Sequence, residues 1–198
     1  MKDLYKHAIV LTGGIATGKS TASKLLESKG FNIIDADKVA HSMLDLNAEG
    51  IITLFGSEYV KEGSVDRKAL GSIIFSDVKN RQKLENFLHP LIKEEIESQS
   101  AVFEKHKMPY LIDIPLFFET KNYAIDEVAL VYTPLKTQRE RLMARDDFSH
   151  EEANNRLNAQ ISIELKKAGS SFVIDNSKDL DHLETEVEKF ITYIKNRV

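Results

Sequence analysis

Glycines, a lysine and a hydroxyl stand at a spacing that binds phosphate. Gly13, Gly14, Ile15, Ala16, Thr17, Gly18, Lys19, Ser20 and Thr21 form a G-x-x-x-x-G-K-[ST] loop just after an apolar run at residues 8–11. A glycine-rich turn at the end of a strand aims successive backbone N–H groups at phosphate oxygens. A helix beginning there adds the positive end of its dipole. Lys19 then reaches the β- and γ-phosphates, and the Ser20 hydroxyl offers an oxygen to Mg²⁺. Ala16 is small enough to leave backbone approach open so long as its φ stays negative.

Carboxylates follow two further apolar runs. Asp35-Ala36-Asp37 closes the second run. If the strand continues through it, Asp35 and Asp37 share one side. A carboxylate at this edge either accepts a proton from an attacking hydroxyl or holds a magnesium-bound water. Asp37 equally suits the N-cap of a helix starting at Lys38, and the two roles can be divided between the two aspartates. Asp113, before Ile114-Pro115-Leu116, is either the acid that positions Mg²⁺ or a cap on the turn before Pro115.

Arg141 and Arg145 lie four apart on one helical face. They either clamp a transferring phosphoryl group or face solvent beside Glu140. Arg67, Lys68 and His89 either meet a charged substrate or serve as surface charges and caps. No pair of histidines has metal-ligand spacing, and nothing reads as a Ser/His/Asp site.

These side chains need a scaffold, and the pattern supplies one. Short apolar runs at residues 8–11, 31–34, 110–112, 128–132 and 172–174 alternate with helical patterns. That order predicts a parallel sheet covered on both faces. Between the second and third runs, helices are predicted over 37–46, 49–55, 67–75, 78–88 and 91–105, punctuated by Gly56, Gly63 and His89-Pro90. This stretch reads as a helical insertion holding a second substrate, because ligands of open α/β sheets sit at the carboxyl ends of strands. Residues 146–167, polar with helical spacing at Ala153, Leu157 and Ile161, read as a lid or as a surface helix pair. A core-facing helix over 180–194 closes the chain.

Composition narrows the class. The chain has 198 residues, 42% hydrophobic and 29% charged, as in a soluble globular protein. No apolar run is long enough to span a membrane. The polar start, residues 1–7, is not a signal peptide. A net charge of −4 argues against general nucleic-acid binding. The absence of cysteine excludes disulfides and thiolate metal sites and fits a reducing, cytoplasmic setting.

Taken together, the motifs resemble the dephospho-coenzyme A kinase family over essentially the whole chain. The resemblance rests on Thr12-Gly13-Gly14-Ile15, Asp35-Ala36-Asp37 with Ala40, and Val65-Asp66-Arg67 with Leu70 and Phe75. It continues through Leu88-His89-Pro90 and Pro115-Leu116-Phe117-Phe118-Glu119. It closes with Gln138, Arg141, Arg145-Asp146 and Phe172-Val173-Ile174-Asp175-Asn176.

The resemblance implies an α/β P-loop kinase fold with a five-stranded parallel sheet flanked by helices. Residues 1–36, 108–145 and 168–198 would form the nucleotide-binding core, 37–107 a helical CoA-binding insertion and 146–167 a lid. It implies transfer of the ATP γ-phosphoryl group to the 3′-hydroxyl of the dephospho-CoA ribose, with Mg²⁺ accompanying ATP. By the same resemblance Asp37 is the general base and Arg145 the lid arginine. Lys19 acts in catalysis, and Asn176 and Arg141 stand on the nucleotide side. Asp35, Arg67, His89, Pro115 and Leu116 stand on the acceptor side. Ala16 and Thr17 depart from the glycine and serine more usual in the family. Another small-molecule or nucleoside monophosphate kinase would share the loop and lid but not the insertion motifs. A GTPase-type switch would carry an Asn-Lys-x-Asp stretch, and this chain has none.

Overall fold

The computed structural model describes residues 4–120 and 122–196. The expected core segments thus extend slightly beyond them, at residues 1–3, 121 and 197–198. The chain divides into two compact units, one of residues 1–34 and 100–198, the other of residues 35–99.

The first unit is built on β1 (Ala8–Gly13), which is buried along its whole length. A strand covered on both faces must be apolar at every position, and Ala8, Ile9, Val10 and Leu11 meet that demand. β1 leads through the phosphate loop to α1 (Lys19–Ser28), and β2 (Ile33–Asp35) follows. The other strands of this sheet are β5 (Tyr110–Asp113), β6 (Val128–Tyr132) and β7 (Phe172–Asp175). The sheet order is β2-β5-β1-β6-β7. β1 runs parallel to both β5 and β6, with Leu11 opposite Asp113 and Ala129, and β6 runs parallel to β7. The phosphate loop therefore leaves the central strand, flanked by the carboxyl ends of its neighbours.

One face of this sheet is sealed by α1 and by α10 (Leu180–Lys195). Leu183, Val187, Phe190, Ile191 and Ile194 recur at three- and four-residue steps on α10, and they join Ala22 and Leu26 of α1 in the core. Each such aliphatic or aromatic side chain contributes about 1.5–3 kcal/mol by leaving water. The remaining helices are α6 (Phe117–Thr120), α7 (Leu135–Asp146), α8 (His150–Asn158) and α9 (Ile163–Ala168). The last two resolve residues 146–167 into a helix pair. α8 opens on a capping box, in which Ser149 Oγ accepts from Glu152 N and the Glu152 carboxylate accepts from Ser149 N.

The second unit contains α2 (Ala36–Leu46), α3 (Ala48–Phe55), α4 (Arg67–Ser76), most of α5 (Val78–Lys105) and a hairpin of β3 (Val60–Lys61) and β4 (Ser64–Val65). Leu44, Ile51, Val65, Leu70 and Leu88 form its own core. The hairpin was not expected from pattern, since two-residue strands show no alternation. Its turn uses positive φ at both Glu62 and Gly63, which matches the twist of a tight hairpin.

The break expected at His89-Pro90 is absent, and α5 runs through Pro90. Proline removes one N–H bond to the carbonyl four residues earlier, that of Asn86. Leu84, Phe87 and Leu88 before it and Leu91 and Ile92 after it all pack into one cluster. Burial on both sides of the proline outweighs the missing bond. No helix among the described residues is long and apolar enough to cross a membrane.

Candidate active site

The phosphate loop is shaped from behind by its carbonyls. Thr17 Oγ1 donates to Gly14 O at 2.9 Å. Asn176 Nδ2 donates to Thr17 O at 2.7 Å, and Thr133 Oγ1, which donates to Asn176 O at 2.8 Å, lies 3.3 Å from the same Thr17 oxygen. Lys166 Nζ donates to Gly13 O at 3.3 Å. A peptide's N–H points opposite to its C=O, so holding the carbonyls outward turns the amides inward. The N–H groups of Ala16, Gly18, Lys19 and Ser20 find no acceptor among the described residues. Four unsatisfied donors at the start of a helix form an anion cradle.

Two residues take left-handed backbone to make this path. Gly18 has φ +86°, and a Cβ there would lie 2.1 Å from Asn176 Nδ2. Ala16 has φ +60°, contrary to the negative φ expected for it. The loop must reverse at Ala16, and its methyl group is lodged with Ile15 against Leu142, Ala153 and Leu157. That packing offsets a conformational cost of about 1–2 kcal/mol.

Lys19 and Asp113 are brought together. Asp113 ends β5 opposite Leu11 and is only 6% exposed. Its Oδ1 lies 2.5 Å from Lys19 Nζ, and its Oδ2 accepts from Ser23 Oγ at 3.2 Å. Asp113 is therefore a carboxylate partner of Lys19 within the loop site. In the turn that follows, Thr12 Oγ1 donates to Pro115 O at 3.1 Å. Leu116 beside it is exposed. The Ser20 hydroxyl is exposed and unbonded among the described residues, so its oxygen is available.

The two arginines of α7 part company. Arg141 turns into the loop support, donating to Asn176 O at 3.1 Å and to Thr133 Oγ1 at 3.3 Å. Arg145, in the last turn, grips Asp146 with Nε at 2.9 Å and a terminal nitrogen at 2.8 Å. That bond raises the Arg145 pKa and holds the Asp146 carboxyl below the ordinary range. Asn176 is 7% exposed, and its amide is spent on the loop backbone.

In the second unit, the two aspartates take different parts. The strand stops at Asp35, so the shared-side alternation does not arise. Asp35 is the N-cap of α2, accepting from Lys38 N at 3.0 Å. Asp37 sits one residue into the helix, exposed, with no side-chain bond to any described residue. Arg67 pairs with Asp45, whose other oxygen accepts from Val65 N at 3.4 Å. His89 is exposed on α5 and unbonded among the described residues.

Pattern reading missed Gln160 and Lys166, and it gave Gln138 no structural part. Gln138 is buried beside Gly14, its Oε1 lying 2.8 Å from where a Gly14 Cβ would stand. Gln160 Oε1 accepts from Ile15 N at 2.9 Å. Lys166 is fully buried while its neighbour Leu165 is 68% exposed, an inversion of ordinary polarity. The available signal was position, since Lys166 follows buried Ile163 by three residues on one helical face.

The family model for dephospho-CoA kinase matches residues 7–182. The dephospho-CoA kinase of Sulfurimonas denitrificans is 49% identical over 191 residues, covering 96% of each chain. That of Helicobacter pylori strain J99 is 44% identical, covering 95% of this chain and 97% of its own. The solved dephospho-CoA kinase of Campylobacter jejuni superposes with a TM-score of 0.73 at 36% identity, covering 95% and 97% of the two chains. Shikimate kinase from Acinetobacter baumannii, at 16% identity and a TM-score of 0.52, shares the fold. With a family model matching residues 7–182 and a relative 49% identical over 96% of its length, this chain belongs to the dephospho-CoA kinase family.

Proposed function

We propose that the chain transfers the γ-phosphoryl group of ATP directly to the 3′-hydroxyl of the dephospho-CoA ribose, in line and without a covalent enzyme intermediate. The supporting observation is the loop, whose free amides face inward while Lys19 waits on Asp113. On this reading ATP lies along Gly13, Gly14, Ala16, Thr17, Gly18, Lys19, Ser20 and Thr21. Lys19 leaves the Asp113 carboxylate for the β- and γ-phosphates, and Arg141 and Asn176 hold the loop's flank. In a loose transition state, charge spreads over the phosphoryl oxygens, so positioning and fixed positive groups carry most of the catalysis.

The donor set fits Mg²⁺, a hard cation that takes oxygen ligands and keeps much of its water. Ser20 and Asp113 are the residues that would hold it, and when bound it neutralises charge on the β- and γ-oxygens. Asp37 receives the proton of the 3′-hydroxyl. Its carboxylate is uncommitted, because Asp35 has taken the cap. Asp35, Arg67, His89, Pro115 and Leu116 are assigned to the acceptor. Residues 146–167 act as a lid that brings Arg145 to the transferring group and excludes water. On this division residues 1–36, 108–145 and 168–198 serve the nucleotide and 37–107 the acceptor, in a cytoplasmic enzyme.

Asp37→Asn tests the base. The variant should bind ATP with ordinary affinity and lose about two to four orders of magnitude in kcat. Turnover within a few-fold of wild type in a coupled ADP-release assay removes Asp37 from that role.

A further inference from the structure

Lys166 is the one described cation in the first unit that is wholly withdrawn from water. Its ammonium meets two acceptors, Glu119 Oε1 at 2.7 Å and Gly13 O at 3.3 Å. The same Glu119 oxygen accepts from Ile161 N at 3.1 Å. One residue earlier, Gln160 holds Ile15 N. The segment from Gln160 to Lys166 thus touches the phosphate loop at two points, one on an amide and one on a carbonyl. Gly14 adds a third approach, since a Cβ there would stand 3.3 Å from Ile163 Cδ1.

Stability does not explain this arrangement. Taking an ammonium and a carboxylate out of water costs several kcal/mol per ion, and a pair of apolar side chains of similar volume usually serves the fold as well or better. What apolar side chains cannot do is grip a carbonyl. Gly13 O belongs to the last residue of β1, where the backbone turns from strand to cradle. If that peptide rotates, the following amides and the Lys19 stem rotate with it.

We propose that Lys166 is a positioning residue for phosphoryl transfer: its buried ammonium fixes the Gly13 peptide, with Glu119 as the counter-charge that makes its burial tolerable. Lys166 touches neither substrate in this reading. It acts through the backbone that aims the loop amides at ATP.

Three variants test this, each read by thermal melting and by steady-state kinetics with ATP varied. Lys166→Met keeps the stem and removes the charge, leaving the partly buried Glu119 without a cation. It should melt lower, with ATP KM raised about tenfold and kcat reduced about a hundredfold. Adding Glu119→Gln removes the stranded charge while leaving an oxygen for Ile161 N. Melting should then return towards wild type while ATP KM stays raised, because Gly13 O remains unheld. A purely structural role predicts the opposite, that kinetics return together with melting, and that result overturns the proposal. Lys166→Arg keeps a cation against Glu119 but cannot place it identically in a fully enclosed site. If neither neutral variant folds, a folded Lys166→Arg protein with a raised ATP KM supports the proposal, and one with wild-type ATP KM overturns it.

Discussion

Gly18 shows how much one residue without a side chain can decide. Its left-handed φ and the nearby Asn176 amide both exclude a Cβ. Gly18→Ala should lower stability by about 1–3 kcal/mol and raise ATP KM at least about tenfold, read by urea melts and an ATP titration. Displacing Asn176 also releases Thr17 O, so the damage reaches the loop's support. At this scale the sequence exposed the residues whose spacing is itself the chemistry, such as Lys19 and Ser20. It did not expose partners. Arg141 and Arg145 have identical spacing on α7, yet one supports the loop and the other grips Asp146, because the first faces Thr133 and Asn176 and the second is exposed at the helix end. Lys166 was hidden by its own polarity, since a lysine is read as surface until a buried acceptor is known.

Among the elements, α5 and α9 carry the clearest tests. α5 keeps Pro90 through packing and forgoes the bond to Asn86 O. Pro90→Ala should restore that bond and raise stability by about 1–2 kcal/mol after the looser unfolded chain is counted, as measured by chemical denaturation. α9 is tied to β6 by Tyr132, whose hydroxyl donates to Glu164 Oε1 at 2.8 Å while Lys167 Nζ sits 4.2 Å from the ring centre. The hydrogen bond to Glu164, then burial, push the Tyr132 phenol up to about 12. The folded protein holds that proton more tightly than the unfolded chain does. The associated stability is complete below the free phenol's pKa of about 10 and is lost as pH rises through about 12. Tyr132→Phe should therefore flatten the alkaline fall of stability in that window, seen in urea melts repeated across pH. Long amphipathic elements such as α10 were legible because their spacing repeats. The β3–β4 hairpin and the continuity of α5 were not, since the first is too short to show a period and the second depends on which residues surround the proline.

For the whole molecule, alternation of apolar runs and helical patterns announced the parallel sheet. Strand order was not written locally. The order β2-β5-β1-β6-β7 depends on which strands find each other across long separations, and no short window records that. The central place of β1 has a consequence for how the protein is made. Ala8 pairs with Tyr110, so the strand that carries the phosphate loop leaves the ribosome about 100 residues before its first neighbour in the chain's pairing. At about 5–20 residues per second, it waits roughly 5–20 s as an apolar segment without a sheet. The second unit, whose core lies within residues 44–92, is fully synthesised during that wait and has all its cluster partners in hand. The strand that carries the phosphate loop thus finds its neighbours only as the second half is assembled, although it is made before them.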